Sequence, residues 1–233
     1  MVVWAGVVSF PLIVVAAWVI GGEATTADLL LGAGGGTAGA VGLVSLFAGL
    51  GRGQAAAVAP AAAAFSGVFP VVVALSVGDT LATLTWVGVA VAIPAIVLCS
   101  WVAEPGDVPL GGLWYGLAAG IGFGAYTVLL DLTSQGSSLL PLIPARAATL
   151  TTVGVAALFG MWRVSGFETV PKRIVASNGI LDVSGNVALL LALRAGSLAP
   201  VAVAASFYPA VTVLMARMVN SEHLRGRHWW GWF

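Results

Sequence analysis

The chain has 233 residues, of which 60% are hydrophobic and only 8% are charged, with nine basic and nine acidic side chains. Soluble domains carry about 25% charged residues, and a soluble fold of this size cannot bury so much apolar surface. The composition excludes an ordinary soluble enzyme, a basic nucleic-acid-binding protein and a disordered chain. A single cysteine, Cys99, excludes a disulfide framework. We therefore predict an all-α polytopic membrane protein.

Eight apolar runs have the length of a membrane-crossing helix, for which about 20 residues suffice. Strands of an outer-membrane barrel would alternate apolar and polar residues over about ten positions, so these uninterrupted runs favour helices. The first run lacks the basic residues of a signal peptide, which favours a span over a cleaved leader. A ninth run begins at His228. The eight predicted spans are Val2–Ile20, Leu29–Leu50, Ala55–Val77, Leu84–Ala103, Gly112–Leu132, Leu139–Val164, Ile174–Leu193 and Leu198–Val219.

The sequence resembles itself when it is shifted by 143 positions, which aligns residues 50–90 with 193–233 without a gap. The third span then matches the eighth, and an odd number of crossings between them reverses the direction of the chain. This pattern predicts two inverted-topology repeats, residues 1–103 and 112–233, with a substrate site between them. Chance similarity of apolar segments is the alternative. The informative identities are Gly53/Gly196, Leu81/Leu224, Trp86/Trp229 and Gly88/Gly231.

The end of each repeat also resembles a known family. Val201–Leu224, VAVAASFYPAVTVLMARMVNSEHL, followed by Trp229 and Gly231, is similar to the end of an EamA-type transporter of the drug/metabolite transporter superfamily. The first half carries a weaker copy, VAPAAAAFSGVFPVVVALSVGDTL, followed by Trp86 and Gly88. The resemblance covers nearly the whole chain, but its motifs are apolar and permissive.

The resemblance implies a ten-helix bundle of two inverted repeats that moves a small organic metabolite or drug-like solute by alternating access. It also implies that this chain lacks the first helix and most of the last helix of that pattern. The first copy departs from the second at Ser66, which stands at the position of Pro209. The family pattern and the distribution of basic residues favour opposite orientations in the membrane, so the orientation stays open.

Ionisable groups within a bilayer are costly and usually face the interior of a helix bundle. Asp182 lies about halfway along the seventh run, with Asn178 and Asn186 four residues to either side. These residues form one polar stripe on an apolar helix. The stripe predicts a substrate or ion site, and polar contacts between helices are the alternative. Arg146, near the start of the sixth run, would pair with Asp182, meet an anionic substrate group or extend to the membrane interface.

Two tyrosines, a proline and a glycine motif complete the candidate residues. Tyr126 and Tyr208 would supply ring faces and hydroxyls to a pocket, although buried aromatic residues more often only pack. Pro209 removes one backbone hydrogen bond from the eighth run and is expected to bend it. The glycines of the second run match a dinucleotide fingerprint, but without the required strand and acidic residue. They instead predict close helix packing through the pairs Gly32/Gly36 and Gly35/Gly39.

These features lead to the hypothesis of a secondary transporter in the inner membrane of a prokaryote, with no catalytic residues, cofactor or metal. The sequence has no Walker motif for ATP hydrolysis. The expected partners are a small-molecule substrate and the lipid bilayer, and nucleic acid is excluded. A coupling proton or ion carried by Asp182 and a homodimer stay open. The alternative is a truncated remnant or membrane interaction subunit of the same fold that transports nothing.

Overall fold

A computed structural model describes residues 2–52, 55–78, 110–159 and 172–206, together with the single positions 83, 86, 87 and 90. Over these residues the chain forms seven α-helices and one short 3₁₀ helix, Gln135–Ser137, and it forms no strand. The α-helices are α1 (Val2–Ile20), α2 (Thr26–Leu50), α3 (Ala55–Ser76), α4 (Leu110–Asp131), α5 (Leu142–Leu158), α6 (Lys172–Ala195) and α7 (Leu198–Ser206).

The expectation of a helical chain is confirmed for these residues, with differences at some helix ends. Helix α2 begins at Thr26 rather than at Leu29, because Thr25 caps it. The Thr25 hydroxyl accepts a hydrogen bond from the Asp28 N–H at 3.2 Å, and Asp28 Oδ2 accepts one from the Thr25 N–H at 2.8 Å. Of the predicted span 84–103 the structure describes only positions 86, 87 and 90, and the distal part of 198–219 lies outside the described residues.

Four helices are long and apolar enough to cross a membrane, namely those of residues 26–50, 57–76, 111–131 and 172–195. Two further apolar helices, in residues 4–20 and 142–158, are shorter. Large apolar side chains lie on the outside of the bundle, where Trp18 is 83% exposed and Leu181 is 70% exposed. Soluble monomers rarely expose extended apolar surface, whereas lipid contact favours it. These helices indicate a membrane protein.

Contacts between helix ends fix the direction of each helix. The Glu23 N–H, just after α1, donates to the Gly136 carbonyl at 2.9 Å, just after α4. Arg194, in the last turn of α6, donates from Nη1 to the Thr133 carbonyl at 2.5 Å. Helices α1, α4 and α6 therefore end on one side of the bundle, where α2, α5 and α7 begin. We call this side the Asp28 end, after a buried residue in the first turn of α2.

On the opposite side, the end of α2 lies against the starts of α3 and α4. A Cβ atom at Gly49 would come within 3 Å of side-chain atoms of Val58 and Tyr115. Helix α3 therefore runs toward the Asp28 end, whereas α7 begins there and runs away from it. The two helices touch where a Cβ atom at Gly67 would lie 2.9 Å from Ser206 Oγ.

Helix α2 packs backbone against backbone on α5. A Cβ atom at Gly32 or Gly36 would come within 3 Å of the carbonyl oxygens of Pro141 and Ala145, respectively. Only glycine allows two helices to approach so closely at these positions. Gly32 and Gly36 lie on one face of α2, and this face therefore holds the first turns of α5 close to α2. The candidate residue Arg146 lies in these turns.

Candidate functional site

A cavity of about 180 Å³ lies between α1, α2, α4, α5 and α6. Four of the candidate pathway residues predicted from the sequence line it: Tyr126 from α4, Arg146 from α5, and Asp182 and Asn186 from α6. The other walls are mostly apolar and consist of Ile13, Gly39, Leu43, Phe123, Leu142, Ala145 and Thr149. The polar groups are thus concentrated where three helices meet, and the remaining walls would contact an apolar part of a ligand.

The four polar residues form one chain of hydrogen bonds, which we call the Asp182 cluster. Arg146 Nη2 forms an ion pair with Asp182 Oδ2. Asn186 Nδ2 donates to the Asp182 carbonyl at 2.7 Å and lies 3.4 Å from Asp182 Oδ1. The Tyr126 hydroxyl donates to Asn186 Oδ1. The cluster therefore joins α4, α5 and α6 through side chains, and its two charges cancel.

The two charged members of the cluster differ in exposure. The Arg146 side chain is 12% exposed, whereas the Asp182 side chain is 34% exposed. Removing one partner of a buried ion pair costs about 3–5 kcal/mol, because the other charge stays buried without compensation. The more buried Arg146 depends on an anion beside it, and the more exposed Asp182 depends less on its cation.

Two of the predicted glycines and one threonine shape the wall of the cavity on α2 and α5. Cβ atoms at Gly35 and Gly39 would lie at ordinary contact distances of 3.4 Å and 3.5 Å from the Tyr126 ring. The Thr149 hydroxyl contacts the Gly36 carbonyl at 3.0 Å and the Ala145 carbonyl at 2.9 Å. The Tyr126 ring thus lies beside Gly35 and Gly39 at distances that would also admit a Cβ atom, whereas the close approach of the α5 backbone requires Gly36.

A layer of buried apolar side chains lies on the Asp28 side of the cavity. Ala17, Leu130 and Leu190 each have 0% exposure. Each follows a cavity-lining residue of its own helix by four positions, about one helical turn closer to the Asp28 end. Together with neighbouring core residues, this layer separates the cavity from that side of the bundle.

Sequence analysis did not identify a second polar group, at the Asp28 end. Asp28 is 3% exposed. Its carboxylate accepts hydrogen bonds from the N–H and hydroxyl of Ser134 at 2.6 Å and 2.9 Å, and from the N–H and hydroxyl of Thr25, both at 2.8 Å. We call Thr25, Asp28 and Ser134 the Asp28 cluster. The Thr25-x-x-Asp28 spacing is a capping-box signal, but nothing local points to Ser134.

Arg194 extends this polar region from the last turn of α6. It donates to the Thr133 carbonyl at 2.5 Å and hydroxyl at 2.6 Å, and to the Ser137 hydroxyl at 3.1 Å. These contacts hold the segment between α4 and α5 against the end of α6. Basic residues near the end of a helix also interact favourably with its carbonyl groups.

The remaining predicted residues do not join the cavity. Asn178 is half-buried and is not part of the cavity wall. Tyr208 and Pro209 lie outside the described residues. In the part of the chain that the structure describes, no three His, Cys, Asp or Glu side chains lie together as metal ligands would. No protein-family model, curated protein or solved structure matches this chain.

Proposed function

We propose that this protein is a multi-pass membrane transporter that moves a small organic solute through the central cavity by alternating access. The observation that carries the proposal is the Asp182 cluster, an ion pair with two hydrogen-bonded partners that lies beside a cavity in an otherwise apolar bundle. Ionisable residues among membrane-crossing helices usually mark a pathway for a solute or ion. A cavity with apolar walls and a few convergent polar groups is typical of small-molecule sites.

An inverted-repeat architecture is part of the proposal, and the direction of the helices supports it. A shift of 143 positions relates α1 to α5, α2 to α6 and α3 to α7. In each of these pairs, one helix runs toward the Asp28 end and the other runs away from it. The shift also relates Gly39 to Asp182 and Leu43 to Asn186, and all four residues line the cavity. Transporters with inverted repeats bind their substrates between the repeats.

A pair of glycine contacts gives further support. Gly36 of α2 packs against the α5 backbone at Ala145. Gly179 of α6, which is 143 positions later, packs against α1, where its Cβ atom would lie 3.1 Å from the Ala5 carbonyl. Each repeat would therefore use an equivalent glycine to hold close one of two helices that the same shift relates, α5 for Gly36 and α1 for Gly179.

The apolar layer of Ala17, Leu130 and Leu190 supports the alternating-access part of the proposal. A transporter has to close its site on one side while the site is open on the other, and this layer is a barrier on the Asp28 side. The sequence resemblance to EamA-type transporters agrees with such a mechanism. Membership of that family is itself part of the proposal.

Accessibility of the cavity from each side of the membrane tests the function without knowledge of the substrate. Leu43 lines the cavity, whereas Val41 of the same helix is 49% exposed on the outside of the bundle. We would introduce Leu43→Cys or Val41→Cys in a chain that carries Cys99→Ala. A membrane-impermeant thiol reagent would then be applied to right-side-out and to inverted membrane vesicles.

Alternating access predicts that the cysteine at position 43 reacts in both kinds of vesicle, because the cavity opens to each side in turn. The cysteine at position 41 should react in neither, because lipid surrounds it. Reaction of the cavity cysteine from one side only, or from neither side, would contradict the proposed function.

A further inference from the structure

Arg146 has hydrogen-bonding capacity that the described residues do not use. A guanidinium group carries five N–H donors in a planar fork, which matches the two oxygens of a carboxylate. Among the described residues, Arg146 donates only to Asp182 Oδ2. Since Arg146 lines the cavity, a ligand there can reach the donors that no described residue uses.

Asp182, the other partner of the ion pair, is the residue that can move away from it. The Asp182 side chain is 34% exposed, compared with 12% for Arg146. If the pair separates, the Asp182 carboxylate keeps Asn186 nearby, with Nδ2 at 3.4 Å, and gains contact with the cavity. Arg146 is more buried and requires another anion in place of Asp182. The group that replaces Asp182 therefore has to be negatively charged.

The size and walls of the cavity limit the rest of the ligand. An apolar cavity of about 150 Å³ in another protein holds one benzene molecule, and the cavity here measures about 180 Å³. The same cavity is also lined by the apolar side chains of Ile13, Leu43, Phe123 and Leu142. A ligand that fits both regions has one anionic end and a small apolar body, such as a single ring or a short chain.

We propose that the solute of this transporter carries a carboxylate that replaces Asp182 beside the Arg146 guanidinium. This inference rests on the proposed function and names the substrate class of the same cavity. Asp182 occupies the guanidinium while the site is empty and so keeps Arg146 neutralised inside the membrane. The side chain of Asp182 thus competes with the solute for one cation.

Three isosteric probes with different charge test this assignment. Para-fluorobenzoate is an anion, para-fluorobenzamide is neutral and para-fluorobenzamidine is a cation, and all three have one ring. Their binding to the purified protein in detergent micelles would be measured by fluorine NMR. The double variant Arg146→Gln/Asp182→Asn lacks both charges and reports the partition of each probe into the micelle.

We expect the benzoate to bind the wild-type protein and to bind Asp182→Asn about tenfold more tightly, because its competitor is removed. Arg146→Gln should lose benzoate binding. The amide and the amidine should bind the wild-type protein no better than they bind the double variant. Equal affinity of folded Asp182→Asn for the benzoate and the amide would overturn the proposal, as would a preference of the wild-type protein for the amidine.

Two further comparisons keep the outcome interpretable. If Asp182→Asn does not fold, the wild-type protein alone decides, since equal binding of the benzoate and the amide refutes carboxylate recognition. The thiol-labelling experiment does not depend on charge. Labelling from both sides without a preference for the benzoate refutes this inference alone. A preference for the benzoate with one-sided labelling refutes transport and leaves a carboxylate-binding site.

Discussion

The two aspartates of the described residues that lie in polar clusters differ in how completely their carboxylates are bonded. Asp28 is 3% exposed and accepts four hydrogen bonds from Thr25 and Ser134. Asp182 is about one-third exposed, and among the described residues its carboxylate pairs with Arg146 and otherwise has only Asn186, at 3.4 Å. A carboxylate has about four acceptor sites, so the described residues saturate the first carboxylate but not the second.

This difference separates a structural role from an exchangeable one. The donors to Asp28 include two backbone N–H groups, which cannot move away without a change in the fold. The partner of Asp182 is a flexible side chain beside a cavity. We therefore interpret the Asp28 cluster as a connection between α2 and the segment after α4, and the Asp182 cluster as a site where partners are exchanged.

The largest expected effect is that of removing the Asp28 carboxylate, and removal of the Asp182 carboxylate is the comparison. Asp28→Ala should lower the free energy of unfolding by about 4 kcal/mol, because it removes a helix cap and leaves buried N–H groups without acceptors. Asp182→Ala should lower it by about 2 kcal/mol, less than the cost for a fully buried pair, because Asp182 is 34% exposed beside the cavity and water can take its place next to Arg146. Denaturant titration in mixed micelles measures both values. A loss for Asp182→Ala as large as that for Asp28→Ala would contradict the distinction.

A smaller effect is expected from moving α5 away from α2. Gly36→Ala places a Cβ atom within 3 Å of the Ala145 backbone, so the helices have to separate near Thr149 and the cavity. We expect a loss of about 3 kcal/mol in the same titration. The matched control is Gly154→Ala, whose Cβ atom would lie within 4 Å of no described residue outside its own stretch of helix. This control should leave stability unchanged or raise it by up to about 1 kcal/mol, and equal losses would refute the close packing.

The smallest effects on stability are expected from removing one hydroxyl group from each cluster. Ser134→Ala removes a hydrogen bond of 2.9 Å to a buried carboxylate and should cost about 2 kcal/mol. Tyr126→Phe removes a hydrogen bond to the Asn186 amide beside the cavity and should cost about 0.5 kcal/mol. Thermal unfolding of both variants in one detergent checks the order. A larger loss of stability for Tyr126→Phe than for Ser134→Ala would mean that the Asp182 cluster is the more rigid of the two and would contradict the distinction.

All four residues of the Asp182 cluster were among the candidates predicted from the sequence, three of them for a simple physical reason. A charged or amide side chain within an apolar run is costly in a membrane, so Asp182, Asn186 and Arg146 stood out by contrast. The partner of Arg146 was left open, because the sequence does not show which face of the sixth predicted span is turned toward the seventh. The structure resolves this point by pairing Arg146 with Asp182.

The Asp28 cluster was not predicted, because the contact between Asp28 and Ser134 joins residues that are distant in sequence. Asp28 lies near a helix start, where an acidic residue is ordinary, and its partner Ser134 is 106 positions away. For the same reason, the sequence could not show which helix each glycine of α2 contacts. Their spacing predicted close packing on α2, but only the arrangement of the helices assigns Gly36 to α5 and Gly39 to Tyr126.

The most direct test of the account locks the Asp28 end. Glu23 and Gly136 are joined there by a backbone hydrogen bond of 2.9 Å, so a disulfide between cysteines introduced at these two positions would link the ends of α1 and α4. They would be combined with Leu43→Cys and Cys99→Ala, with the thiol reagent applied from each side of the membrane before and after oxidation. Alternating access predicts that oxidation abolishes labelling of the cysteine at position 43 from one side of the membrane only, and that reduction restores this labelling. Unchanged labelling from both sides after complete disulfide formation would contradict alternating access through this cavity.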